Sequence, residues 1–175
     1  PKIQVNETDR TTLYRIADGT LSPLTGPMNE ADYHSVLAKA GIERDGQLWA
    51  WGIPTILPVT DEEAAAMANG GDFALCDENG VFGVISAATV YEWTKQEFLE
   101  GVYGTERHDH PGAGLWLADE RTKLVTGDIS LKAFADERSF AGYVNSASET
   151  RALIAAEGWE QSIAFQTRNP LHRAH

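Results

Sequence analysis

The sequence predicts an α+β domain that gives way near residue 145 to the opening of an α/β segment. Three observations carry this. Short apolar stretches broken by Gly and Pro recur up to about Tyr143, as in a sheet of many short strands. Short helix signatures with readable caps lie among them, and no internal repeat is present. After Tyr143 the texture changes to helix, strand, turn and a second helix start in close succession, which is an α/β rhythm. The boundary falls within residues 143–148, so residues 1–145 form the first domain and 146–175 begin the next.

Turn formers dominate the first third, where Asp18-Gly19, Ser22-Pro23 and Gly26-Pro27 act as breakers. A helix then opens at Asn29, with Asp32 three residues on in the capping-box position and Tyr33, Val36 and Leu37 at helical spacing. The stretch "LWAWGIPTILPV" reads as two short strand pieces, each interrupted by a proline. "DEEAAAMANG" reads as a short helix capped by Asp61 and ended by Asn69-Gly70. Two apolar stretches flank Glu78-Asn79-Gly80, the strongest hairpin signal in the chain. "TKQEFLEGVYG" is helical, and "GAGLWLADERTKLVTGDISLKAF" reads as two strands around a charged turn. In the last part, Ser146 or Ser148 caps a helix that Gly158 stops, Ser162 to Phe165 form a strand, and a helix starts at Pro170.

The composition of the 175 residues, with 42% hydrophobic and 23% charged, suits a globular chain. A net charge of −12 and a pI near 4.7 repel nucleic acid from most of the surface. An anionic ligand therefore needs a local basic pocket. The one cysteine, Cys76, excludes an internal disulfide, and a reducing, cytoplasmic setting is expected. No apolar run approaches the roughly 18 residues of a membrane span, and the N-terminus shows no signal-peptide core. Asn6-Glu7-Thr8 matches a glycosylation sequon, read as chance without a secretion signal.

The basic pocket has one evident candidate, the final run "QTRNPLHRAH" from Gln166 to His175. The expected strand delivers the chain to a turn at Gln166-Thr167-Arg168. Asn169 suits an N-cap, and Pro170 suits the first helical position. A helix starting there points its free N–H groups at the strand end, where α/β proteins hold anions. His172 and His175, three apart, share one helix face. Arg168 adds a planar fork that fits a tetrahedral oxyanion. The physical reading is a phosphate or sulfate site. A His-x-x-His pair alone is weak evidence, and structural or surface roles stand beside that reading. The pair could also hold a metal, but the run contains no carboxylate or cysteine, so no metal site is expected. His108-x-His110 reads as turn chemistry. Walker-type and Gly-x-Gly-x-x-Gly loops are absent.

The final run resembles the Gln-x-Arg-Asn-Pro-x-His-x-x-His signature of the ATP sulfurylase (sulfate adenylyltransferase) family. "LSPLTGPMNEADYHSVL" resembles that family's N-terminal segment, with Leu21 and Pro27 in place of its usual aromatics. "LWAWGIPTILPV" is similar to the strand after it, and "HDHPG" to a His-Pro-Gly turn further on. The resemblance implies a PUA-like mixed β-barrel domain with short helices, followed by the first helix, strand and turn of an α/β nucleotidyltransferase domain.

For function the resemblance implies adenylyl transfer from ATP to sulfate, in sulfate activation, by a cytoplasmic homo-oligomer, with Mg²⁺ on the nucleotide and no protein-bound metal. Arg168 and Gln166 are assigned to sulfate. Thr167 and Asn169 hold transition-state oxygens, so Thr167, Arg168 and Asn169 form the catalytic set. Gln166, Asn169, His172 and His175 contact the ATP phosphates. Later family elements that complete the nucleotide pocket have no counterpart in this sequence, and residues 1–175 alone are expected to be inactive. Alternatives are a protein with a fused adenylylsulfate kinase, a non-catalytic sulfurylase-like assembly protein, and an RNA-binding PUA-type module, which the negative charge disfavours.

Overall fold

The computed structural model describes the chain except Glu106, His108, residues 134–140, Leu171, His172, Ala174 and His175, together with the side chain of Ala141. The contacts divide it into two compact units, Pro1–Glu137 and Arg138–His175.

The first unit is built on a five-stranded mixed sheet. Its strands are β1 (Lys2–Gln4), β4 (Pro58–Val59), β5 (Phe73–Asp77), β6 (Gly80–Glu92) and β7 (Lys123–Leu131), in the spatial order β1-β5-β6-β7-β4. Only β1 runs parallel to its neighbour, with Ile3 opposite Leu75; the other pairs are antiparallel. The hairpin expected at Asn79-Gly80 joins β5 to β6, and Asp77 Oδ1 accepts the Asn79 N–H at 2.8 Å inside the turn. Register slips between Ser86 and Thr89, where Ala87 takes a left-handed φ of 52°; this bulge bends the long β6. A separate hairpin pairs β2 (Gly41–Arg44) with β3 (Gln47–Ala50) through Asp45 and Gly46, both left-handed.

Among the described residues of this unit the helices are α1 (Glu7–Ala17), α2 (Glu30–Lys39), α3 (Asp61–Ala66), α4 (Lys95–Tyr103) and α5 (Pro111–Ala118). The α2 cap is the one expected, with Asn29 Oδ1 accepting the Asp32 N–H at 2.8 Å. Helix α4 ends, as expected, on left-handed Gly104. Helix α1 is one the sequence does not lead us to expect; Asn6 caps it by accepting the Asp9 N–H at 2.8 Å. Two readings are corrected. Thr60, not Asp61, caps α3 in a full capping box with Glu63, because Asp61 Oδ1 is engaged by the Thr122 hydroxyl at 3.0 Å. The stretch around Leu115 to Leu117, expected as a strand, is helix α5. His110 Nδ1 accepts the Ala113 N–H at 3.3 Å and Pro111 fills the first helical position, so local capping decides what an apolar run leaves ambiguous.

The core has two parts. One packs Ile3, Leu13, Ile16, Met28, Leu57, Leu75, Ile85 and Val125 around the sheet. The other is aromatic: Phe98 is fully buried, stacked on Tyr33 and edge-on to Trp93 and Trp116. An ion-paired node ties distant segments together. Arg121 donates to Asp119 through Nε and Nη2, to Asp9 at 3.0 Å and to the Pro58 carbonyl at 2.8 Å. The loop before α2 lies so close to β7 that a Cβ on Gly26 would stand 1.8 Å from the Gly127 carbonyl oxygen.

The second unit holds a 3₁₀ turn at Ala141–Tyr143 and helix α6 (Ala147–Ala156). Ser146 is its cap, in a capping box with Glu149, as the sequence allowed. Gly158, at φ 66°, closes it: Gly158 N–H bonds the Ala155 carbonyl at 3.2 Å and Trp159 N–H the Ile154 carbonyl at 3.1 Å. The expected strand at Ser162 to Phe165 is not formed. A strand needs a hydrogen-bonded neighbour, and the described residues of this unit contain no other strand; Ile163 is 98% and Phe165 67% exposed.

Candidate functional site

After the helix α6 closure the chain runs without regular secondary structure from Gln161 to Thr167 and bends at Arg168 and Asn169. From Gln161 onward the sequence contains two arginines, two histidines and no carboxylate, in a chain with 26 acidic and 14 basic residues. This contrast makes the segment locally anion-attracting against an anion-repelling background.

The expected residues fall into two groups. Gln166, Thr167, Arg168 and Asn169 are described, contiguous and exposed. Within the bend, Thr167 Oγ1 accepts the Asn169 N–H at 3.0 Å. His172 and His175, and with them most of the helix expected from Pro170, lie outside the described residues. The guanidinium of Arg168 thus sits on a solvent-facing bend one residue from each of its two polar neighbours, an arrangement able to present a fork and an amide to a tetrahedral anion.

The other histidine pair has a structural explanation at His110, whose ring caps α5 and lies 4.7 Å from the Tyr103 ring centroid. His108 is outside the described residues. Among the described residues no group of three His, Cys, Asp or Glu side chains could hold a metal ion, and no helix is long and apolar enough to cross a membrane. Cys76 is buried in β5.

Sequence reasoning missed the Arg121 node, where one guanidinium holds two part-buried carboxylates. Burial pushes the Asp9 carboxyl above its ordinary range, against the opposing pull of Arg121. Asp119 lies below the ordinary range: burial pushes it up, but the hydrogen bond and charge of Arg121 outweigh that. The asymmetry follows the geometry, because Asp119 meets Arg121 through a forked pair and Asp9 through one nitrogen. The sequence signal for it was only Asp119 two residues before Arg121.

Comparison with known proteins adds the following. The PUA-like domain family matches residues 1–133, and the ATP-sulfurylase family matches residues 141–175. Among curated relatives, a sulfate adenylyltransferase of Pyropia yezoensis is 60% identical over 176 residues, covering 100% of this chain and 42% of that protein. Those of Symbiobacterium thermophilum and Desulforamulus reducens are 36% and 33% identical; this chain is fully covered and spans 44% and 45% of them. The chain therefore spans less than half the length of these relatives. A solved structure, the hexameric APS kinase from Thiobacillus denitrificans, matches with a TM-score of 0.65 at 24% identity, over 99% of this chain and 30% of that one, a likeness of fold.

Proposed function

Since the chain belongs to the PUA-like domain family over residues 1–133 and continues into an ATP-sulfurylase segment, we propose that it is the N-terminal part of a sulfate adenylyltransferase. The observation that carries this reading is the run Gln166 to His175. It lies inside the ATP-sulfurylase match and ends a chain aligned along its whole length with a sulfate adenylyltransferase at 60% identity. Residues 1–145 are the PUA-like domain and 146–175 the beginning of the catalytic domain. The assembled protein is a homo-oligomer acting on ATP and sulfate.

In the reaction a sulfate oxygen forms a bond to the α-phosphorus of ATP and the bond to pyrophosphate breaks, giving adenosine 5′-phosphosulfate. Sulfate is fully ionised and needs no general base. The protein's task is to bring two anions together and to neutralise the charge that develops at phosphorus. Arg168 grips sulfate through its fork, with Gln166 beside it. Asn169 faces the transition-state oxygens, with Thr167 next to it in the bend. His172 and His175, with Gln166 and Asn169, contact the ATP phosphates. Mg²⁺ bound to the nucleotide would supply charge neutralisation at its phosphates; no residue of the run from Gln166 to His175 brings a carboxylate side chain that could hold it.

The test is made on the full-length protein, by following pyrophosphate release from ATP with and without sulfate. Sulfate-dependent release is expected. Arg168→Ala abolishes it while ATP binding survives, and Arg168→Lys restores little, because an ammonium cannot reproduce the fork. A folded full-length protein with no sulfate-dependent release would overturn the reading. Loss of ATP affinity in Arg168→Ala with the sulfate response kept would overturn the role of Arg168.

A further inference from the structure

Thr167 turns both functions of its hydroxyl back onto the chain. Its Oγ1 accepts the Asn169 N–H at 3.0 Å, and its O–H is directed at the Asn169 carbonyl oxygen at 3.4 Å. Aspartates make the same two-residue closure elsewhere in this chain, Asp77 on Asn79 at 2.8 Å and Asp119 on Arg121 at 3.0 Å.

The position it serves sets Thr167 apart. At the two capping boxes among the described residues the N–H of the cap residue is taken by a glutamate three residues on. Thr60 N–H meets Glu63 at 2.9 Å, and Ser146 N–H meets Glu149 at 2.7 Å. Counted from Asn169 as a cap, the corresponding residue is His172, which brings no carboxylate. The Asn169 amide takes its acceptor from the other direction, and Thr167 provides it. Both residues are exposed, so the bond satisfies no buried group; its effect is to select one geometry for the bend in which Arg168 is the middle residue.

We infer that Thr167 is a positioning residue: its hydroxyl acts on the Asn169 backbone, thereby aims the Arg168 and Asn169 side chains, and makes no contact of its own with the transferred group. This rests on the reading of Arg168 and Asn169 as substrate-contacting residues. It moves Thr167 out of the set that touches the transition state.

The test has two independent arms. In the 175-residue chain, amide exchange at Asn169 is measured for wild type, Thr167→Ser and Thr167→Val. Exchange is expected to quicken roughly fivefold in the valine variant, which keeps the shape and loses the acceptor, and to stay near wild type in the serine variant. An unchanged Asn169 amide in Thr167→Val overturns the inference. In the full-length protein, Thr167→Val is combined with Asn169→Ala in a double-mutant cycle on sulfate-dependent turnover. The double variant is expected to lose less than the product of the two single losses, because only the aim of Arg168 is left for the hydroxyl to set, and Thr167→Ser to be active. Multiplying losses would give Thr167 its own contact with the reacting groups and overturn the inference. A full-length protein with no sulfate-dependent turnover, but with the amide effect present, would instead sink the functional reading and leave the hydroxyl's action on Asn169 standing.

Discussion

Arg121 Nη1 meets Asp9 Oδ2 at 3.0 Å across a sequence separation of 112 residues, with side-chain exposures of 17% and 9%. The pair fastens α1 to the segment just before β7, and the same guanidinium holds Asp119 and the Pro58 carbonyl. Removing the cation strands a buried carboxylate, which costs far more than a surface pair is worth. Arg121→Met is expected to destabilise the first unit by about 3 kcal/mol. Urea unfolding of the 175-residue chain measures this; a loss near that of an exposed control such as Lys39→Met, whose Glu43 partner is solvated, would refute it.

Asp9 also sets a pH dependence. Burial raises its folded pKa above the ordinary carboxylate value, so the unfolded chain releases this proton first as pH rises. Between the ordinary value and the raised one the folded state binds more protons, and the group's contribution to stability falls as pH rises through that window. Asp77 and Asp119, both lowered, act in the opposite sense, so the comparison must isolate Asp9. The stability of wild type minus that of Asp9→Asn, measured from about pH 4 upward, is expected to decline with pH. A difference that grows with pH would show that Arg121 outweighs burial.

Gly26 is a packing constraint rather than a conformational one. A Cβ there would overlap the Gly127 carbonyl, which is backbone and cannot swing aside. Gly26→Ala is expected to cost about 3 kcal/mol, whereas Gly52→Ala, with nothing within 4 Å of the added Cβ, changes stability little. Equal melting temperatures for the two variants would contradict the close approach.

The histidines of the final run discriminate phosphate contact from metal ligation. In the full-length protein, His175→Ala is expected to slow turnover by roughly a hundredfold, the usual loss for one preorganised donor, while His175→Asn keeps a donor and part of the activity. Stoichiometric zinc in the purified protein, lost on substituting either His172 or His175, would point to ligation instead. Equal rates for the Asn and Ala variants would remove the phosphate contact.

Features governed by neighbours in sequence were legible. Asn29 and Ser146 cap the helices they were expected to cap, and Asn79-Gly80 turns its hairpin, because each depends on a few adjacent residues. What was missed depends on partners far along the chain. Asp61 looked like a cap until Thr122 claimed its carboxylate, and helix α1 is polar enough that only its docked face, Leu13 and Ile16, reveals it. Ser162 to Phe165 has strand composition without a strand beside it. For the site the position is reversed. The final ten residues carry a family signature, and the ATP-sulfurylase match over residues 141–175 includes them, but local details such as the partner of the Thr167 hydroxyl are not named by the residue types alone.

The parallel pairing of β1 with β5 sets the order in which this unit can be finished during synthesis. Lys2 leaves the ribosome well before its register partner Ala74, and Gln4 must wait for Cys76. Until β5 arrives, Ile3 and Val5, both buried in the finished unit, have no sheet to cover them. Closing so long a loop adds little to its entropic cost, but it makes the contact non-local and therefore slow. The nascent chain thus carries β1 unmatched, to be stitched in only after the β5–β6 hairpin has emerged.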